Sequence, residues 1–545
     1  VATIAGTAAC EACPEGLAES MRGRVQSIVA PSLDPVQPPN VAPGMATLSP
    51  QPHVTPAEAE RGLRLLVTEA AFSGGAAALT TGVILTAFAL HLGASNAMVG
   101  LLASAPFLAQ LLQLPAVLLV ERWRKRKMIA VVTSLIGRAM LGVMAVTAFF
   151  TGTVPLLVFL VAQFVLCGFG AVGGCAWNAW LRDLAPERRL GDVFARRTVW
   201  LTAISLVLGL AAALALDLTP EDSRARDLVF AGMFAAGCVT GLISARIVAL
   251  MPEPAMPAAS GPIALGPLLR QPLADTNFRR LLVFVGSWQF AVNLATPFVT
   301  VFIVRQLGFP ISFVMVLSVV SQVANIVALR SWGTLSDRFA NKSVLAVCAP
   351  AYLLSIVGMI GASQMESRPA IMAWLIFVHI VMGAAVAGTT LTVTNIALKL
   401  SPKGSATAYV AANAMATAVA AGLAPILGGL LADFFATRRF ELLLRWSSPS
   451  GALDLSVVLS HWDFYFLLAG LLGMYALHRL SLVEEHGEIE RREMINQVLG
   501  ETRRTIRNVS SVAGLRAATD LPVSLIRDAR LRLRWRRAQA ARNHD

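Results

Sequence analysis

Six cysteines in 545 residues are too few and too scattered for a disulfide framework. Four of them, Cys167, Cys175, Cys238 and Cys348, lie inside apolar runs and read as packing residues. Cys10 and Cys13 form a lone C-x-x-C without a second ligand pair, so no metal site is expected. Catalytic signatures are missing too. The chain contains no Walker loop, no H-E-x-x-H and no G-x-S-x-G, which supports neither ATP hydrolysis nor a familiar hydrolase. The expectation is a protein that is not an enzyme and needs no cofactor. Charged residues make up only 14% of the chain against 56% hydrophobic, and the mean hydropathy is +0.65. That balance argues against a soluble protein and for lipid as the solvent.

What is present is apolar length. Twelve runs of about 20 residues, each able to cross a roughly 30 Å hydrocarbon core as a helix, recur between residues 65 and 482. Long parts of them are apolar all round and do not alternate, which predicts an all-α membrane protein and not a barrel. The net charge of +13 sits in alternate loops: Arg122 to Lys127, Arg182 to Arg197, Arg270 to Arg280, and Arg338 with Lys342. This placement assigns the basic residues to membrane topology and not to nucleic acid. By the positive-inside rule it puts the basic loops and both termini in the cytoplasm, as a multi-pass protein of the cytoplasmic membrane. Arg438, Arg439 and Arg445 are exceptions on the outer side.

An internal repeat of about 215 residues is visible in three landmarks. Leu92-Gly93 recurs as Leu307-Gly308, Glu121-Arg122 as Asp337-Arg338, and the stretch from Asn178 to Pro186 as that from Asn395 to Pro402. The predicted organisation is a disordered cytoplasmic tail (1–64), a six-helix half (65–251), a cytoplasmic linker (252–280), a second six-helix half (281–482) and a basic cytoplasmic tail (483–545). Met21 and Met45 leave the translation start open. The segment 524–542 holds seven arginines against Asp528, and is read either as a helix lying on anionic lipid or as a disordered electrostatic tether.

The stretch GTLSDRFANK, residues 333–342, resembles the signature loop of the major facilitator superfamily. Gly333, Leu335, Asp337, Arg338 and Lys342 match it, while Ser336, Ala340 and Asn341 depart from it. Glu121 and Arg122 are the poorer first-half copy. The resemblance implies twelve transmembrane helices in two pseudo-repeated halves, a site between them, and secondary transport of a small molecule. Physically, Gly333 would let helix ends approach closely while Asp337 and Arg338 bond across the cytoplasmic seam, so these six positions (Glu121, Arg122, Gly333, Asp337, Arg338, Lys342) are the expected gate.

Charges at membrane depth mark candidate pathway residues. Arg138 lies roughly 15 Å into its run, near the midplane, with Glu69 its nearest candidate partner. His379 reads either as a proton carrier or as a neutral interhelical hydrogen-bonding group. Gln289, Asn293, Thr296 and Thr300 share one helical face, interrupted by Pro297, and Ser73 and Thr80 extend a weaker face from Glu69. The functional expectation is a monomeric transporter working by alternating access, coupled to protons. A non-transporting sensor or assembly factor on the same fold is the alternative.

Overall fold

Lipid offers no partner to backbone N–H and C=O groups, so apolar runs of this length must close their hydrogen bonds internally as helices. The computed structural model describes residues 48–184, 187–221, 223–256, 265–402, 406–448 and 451–485. Among these, twelve helices are long and apolar enough to cross a membrane. The first six are span 1 (Pro56–His91), span 2 (Asn96–Trp123), span 3 (Arg126–Thr147), span 4 (Thr153–Leu184), span 5 (Val193–Asp217) and span 6 (Arg224–Ala249). The second six are span 7 (Thr276–Gln306), span 8 (Ile311–Arg338), span 9 (Asn341–Ser363), span 10 (Arg368–Lys399), span 11 (Ala408–Phe435) and span 12 (His461–Ser481). The bundle therefore has a basic end, carrying the arginine-rich loops, and an opposite end.

Several boundaries differ from the hydrophobic pattern for local reasons. Span 1 begins at Pro56, inside the expected tail, because Thr55 and Glu58 form a reciprocal capping box. Span 7 begins at Thr276, inside the expected linker, where the Asp275 carboxylate accepts from the N–H groups of Asn277 and Phe278 at 3.0 Å each. The linker also contains a short helix, Leu265–Ala274. Spans 11 and 12 are joined by an antiparallel hairpin, β1 (Arg439–Ser448) with β2 (Gly451–Ser460), so the fold is helical with one small sheet. The expected disorder of the first residues, Cys10 and Cys13, and the basic segment 524–542 lie outside the described residues.

The repeat has a conformational basis. Gly93 and Gly308 both adopt left-handed backbone, with φ of 80° and 64°, where spans 1 and 7 end. A side chain would be strained there, so glycine closes both helices. Each half is held by an aromatic knot near the opposite end. Phe88 packs edge-on to Phe159 at 5.0 Å and beside Phe230 and Phe234, while Phe302 meets Phe466 at 5.2 Å and Phe298 meets Tyr465 at 5.3 Å. Spans 2 and 11 form the most extensive contact between the halves. Glycines make it possible: a Cβ on Gly100 would fall 2.0 Å from the Pro425 carbonyl oxygen, and one on Gly429 2.3 Å from that of Asn96. The seam between spans 5 and 8 is looser, with the Met315 thioether filling the space over Gly209.

Candidate translocation pathway and gates

Two cavities lie among the spans and share Thr296. The first, about 710 Å³, brings together Glu69, Ser73, Thr80, Arg138, Thr296 and Thr300. Its charged lining residues are Glu69, Arg138 and Arg197, so its formal balance is one positive charge. The second, about 650 Å³, has no charged lining and holds Gln289, Asn293, Thr296, Gln110, Gln113 and Asn413. Both volumes fall in the range of small-molecule sites, about 300–1,000 Å³.

Span 1 is discontinuous beside the first cavity. Thr81 is extended and Gly82 left-handed with φ 61°, which breaks the helix at the level of Thr80. Glu69 is buried and accepts from the Ser244 hydroxyl at 2.9 Å and from Arg197 at 3.4 Å. Arg197 is thus its ion-pair partner, in place of the expected Arg138. Arg138 feels the Glu69 charge but, among the described residues, makes no hydrogen bond or ion pair. Its stem lies over Gly241, where a Cβ would come within 2.6 Å of Arg138 Cδ. Gly241 therefore makes room for this arginine.

In the second cavity the polar face of span 7 is partly tied to itself. Asn293 donates to the Gln289 carbonyl at 2.8 Å, and Thr296 donates to that of Val292 at 2.8 Å. The Thr296 hydroxyl also meets the Tyr352 hydroxyl at 2.9 Å, joining spans 7 and 9. Among the described residues, the side-chain oxygens of Gln163 in the first cavity and Asn413 in the second are buried without a partner, leaving acceptors for water or solute. His379 lines neither cavity. It is buried, with Nδ1 2.8 Å from the Leu375 carbonyl of its own helix.

The expected gate residues are not brought together. Among the described residues, a Cβ on Gly333 would have nothing within 4 Å, so none of their helix ends packs against it here. Asp337 and Arg338 are exposed, Arg338 lies over the ring of Phe339 at 5.5 Å, and among the described residues Asp337, Glu121 and Arg122 make no hydrogen bond or ion pair. Lys342 acts inside the second half, donating from Nζ to the Val483 carbonyl at 2.6 Å.

Carboxylates that the sequence reading passed over occupy four helix starts in two symmetric pairs. At the basic end, Glu253 after span 6 accepts from the Arg126 N–H at 2.7 Å, and Glu485 after span 12 accepts from the Lys342 N–H at 2.8 Å. Glu485 also takes Asn341 Nδ2 and Lys399 Nζ at 2.9 Å each. Burial pushes the Glu485 carboxyl up, but these bonds and the Lys399 charge together hold it below the usual value. For Glu253 burial wins, and its carboxyl is raised despite the bonds from Arg126 and Lys127. The buried Arg126 guanidinium braces the first half by donating to the carbonyls of Ala179 (3.1 Å) and Pro254 (2.9 Å) and to Asp183. These contacts all stay within one half.

At the opposite end the pairs cross between halves. Asp433, at the end of span 11, accepts from the N–H groups of Asn96 (3.2 Å) and Ala97 (2.9 Å) at the start of span 2. Asp217, at the end of span 5, accepts from those of Ile311 (3.0 Å) and Ser312 (2.9 Å) at the start of span 8. Pro310, the residue before span 8, makes no side-chain cap, so Asp217 takes that role from the other half. Arg305 adds a bond to the Ala94 carbonyl at 3.2 Å. The spacing of Asp217 and Asp433 equals the repeat offset, and that was the available signal.

The profile described as Major Facilitator Superfamily matches residues 69–425, and a second match covers 289–527. The chain belongs to this superfamily. The second match begins in span 7 much as the first begins in span 1, in keeping with the repeat. No curated protein sequence matches the chain. Among solved structures, a variant of the nucleoside transporter NupG aligns with a TM-score of 0.61 at 12% identity, covering 78% of this chain and 100% of that one. A D-xylose-proton symporter aligns with 0.56 at 14%, covering 78% and 99%. A bacterial homolog of the human lysosomal transporter Spinster, inward-facing and unoccupied, aligns with 0.52 at 15%, covering 84% and 100%. At these identities the likeness shows the fold. This superfamily member is a multi-pass membrane protein of the transporter class.

Proposed function

We propose that the chain is a secondary active transporter that carries a small molecule across the cytoplasmic membrane by alternating access, coupled to protons. The observation that carries this reading is the asymmetry of its ends. Two polar cavities meet at Thr296, the end beyond them is tied across the halves by Asp217 and Asp433, and the Gly333 to Arg338 element at the basic end is disengaged. With the basic loops in the cytoplasm, this is an inward-facing state. Asp337 and Arg338 would engage only when the basic end closes. Both termini are then cytoplasmic, and the working unit is taken as a monomer.

Glu69 is the proposed proton carrier, because it is a buried carboxylate on the cavity wall whose partners, Ser244 and Arg197, come from other spans. Protonating it would release Arg197, so proton binding and helix contacts are linked. Purified protein in liposomes, given a panel of metabolites under an imposed proton gradient, tests the reading. Gradient-driven flux is expected for at least one solute, with Glu69→Gln retaining exchange but losing accumulation. Absence of flux for every compound, with one stoichiometric protein partner co-purifying, would favour the sensor or assembly-factor alternative.

A further inference from the structure

The charged cavity holds polar groups of two kinds, those already bonded within the protein and those that are not. Thr80, Thr81, Thr86 and Thr133 each donate to a carbonyl of their own helix, and Ser244 donates to Glu69. Among the described residues, the hydroxyls of Ser73, Ser134 and Thr300 make no hydrogen bond, and the Gln163 side-chain oxygen is buried without a donor. Among the same residues Arg138 makes none either, and Arg197, which reaches Glu69 through one Nη, keeps a buried Nε without an acceptor.

These unbonded groups follow the charges. Ser134 lies one helical turn before Arg138 on span 3, and Ser73 one turn after Glu69 on span 1, so each hydroxyl shares a helix face with a charge. Gln163 comes from span 4, and Thr300 comes from span 7 in the second half. Glu69 offsets only one of the two positive charges. One carboxylate would bring the cavity to neutrality and supply the acceptors that the guanidiniums lack, and a second would reverse the sign. A zwitterion would leave the excess charge in place and set an ammonium beside two arginines. Water can meet the hydroxyls and Gln163, but a solute that displaces it must replace those bonds or strand a polar group at each.

We infer that the substrate is a small water-soluble polyhydroxy acid with one carboxylate, of the sugar-acid class, whose carboxylate binds at Arg138 and Arg197 while its hydroxyls bond Ser73, Ser134, Gln163 and Thr300. This rests on the transport reading and adds the substrate class. The two arginines select the carboxylate, and the unbonded hydroxyl and amide groups select a hydroxylated body over an apolar one. Through Thr300 the bound solute also touches the second half, which gives binding a way to bias the arrangement of the halves.

The test measures equilibrium binding to the full chain in zwitterionic nanodiscs, with empty nanodiscs as the blank. The radiolabelled probes share one carbon-chain length: gluconate, hexanoate without hydroxyls, sorbitol without a carboxylate, and glucarate with two carboxylates. Gluconate should bind about tenfold or more tightly than hexanoate or sorbitol, and more tightly than glucarate. Arg138→Gln should weaken gluconate by about tenfold or more, with Arg138→Lys intermediate, and both variants are to be checked for a parental melting point. Ser134→Ala should weaken gluconate by about threefold or more but leave hexanoate unchanged. Equal binding of gluconate and sorbitol would overturn the carboxylate assignment, and equal binding of gluconate and hexanoate the hydroxyl assignment. Glucarate bound as tightly as gluconate would overturn the single charge, and gluconate binding unchanged in folded Arg138→Gln would overturn the seat of the carboxylate. If another solute is transported while none of these probes binds, the inference fails and the transporter reading stands. Failure of both flux and binding would sink both.

Discussion

Replacing Asp433 or Asp217 should open the end of the bundle that they now close. Each carboxylate accepts two backbone N–H groups at the start of a helix in the other half, at 2.9–3.2 Å. Asparagine keeps an acceptor oxygen but loses the charge, and a charge at a helix N-terminus is worth about 1 kcal/mol in a partly buried setting. Alanine loses the bonds as well, for a total near 2 kcal/mol. With about 1.4 kcal/mol per decade, Asn at one site should raise the open population about fivefold and Ala about thirtyfold. The two sites share no partner, so the double Asn variant should also reach about thirtyfold. A cysteine at Thr300, in a background free of the six native cysteines, reports the change through its labelling rate with an impermeant thiol reagent added at the end opposite the basic loops. Rates that stay at the parental value in both Ala variants, in protein that remains folded, would show that the carboxylates cap helices without holding the halves together.

Glu485→Gln should lower the thermal midpoint at pH 7, at a cost of about 2 kcal/mol from lost charge-assisted bonds. Because the folded pKa is depressed, that contribution is present above the unfolded value near 4.3 and lost as pH falls through the folded one, so parent and variant should converge in acid. Gly241→Ala should displace the Arg138 stem and lower gradient-driven flux of whichever solute the liposome panel identifies, while the melting point changes by little. Asp337→Asn should leave the melting point unchanged, since the carboxylate is exposed and makes no bond among the described residues, yet raise labelling of a cysteine at Gln113 from the basic end.

The twelve spans were readable because apolar length reports directly on the membrane, and Arg138 stood out because a cation inside an apolar run has no cheap explanation. Arg197 did not, since it follows a cluster of loop arginines from which the helix of span 5 emerges. Glu253, Glu485, Asp217 and Asp433 sit just beyond or at the ends of spans, where a carboxylate looks like a solvated loop residue until its distant partner is known. Gly333 and Asp337 were legible as a repeated element, but which conformation uses them is a property of the arrangement of the halves and leaves no mark on residue spacing. The hairpin after span 11 was hidden by reading its arginines only for charge, while the alternation in R-F-E-L carried the strand signal.

The unequal seams between the halves have a mechanical consequence. Where Gly100 lies on Pro425 and Gly429 on Asn96, main chain rests on main chain, with no side chain to stretch or bend between them. Such a contact permits rotation and resists sliding. Across the molecule, the flexible Met315 thioether over Gly209 can follow a gap as it widens. The halves should accordingly swing like book covers about a spine formed by spans 2 and 11, so that the solvent wedge grows from that edge and is broadest beside spans 5 and 8.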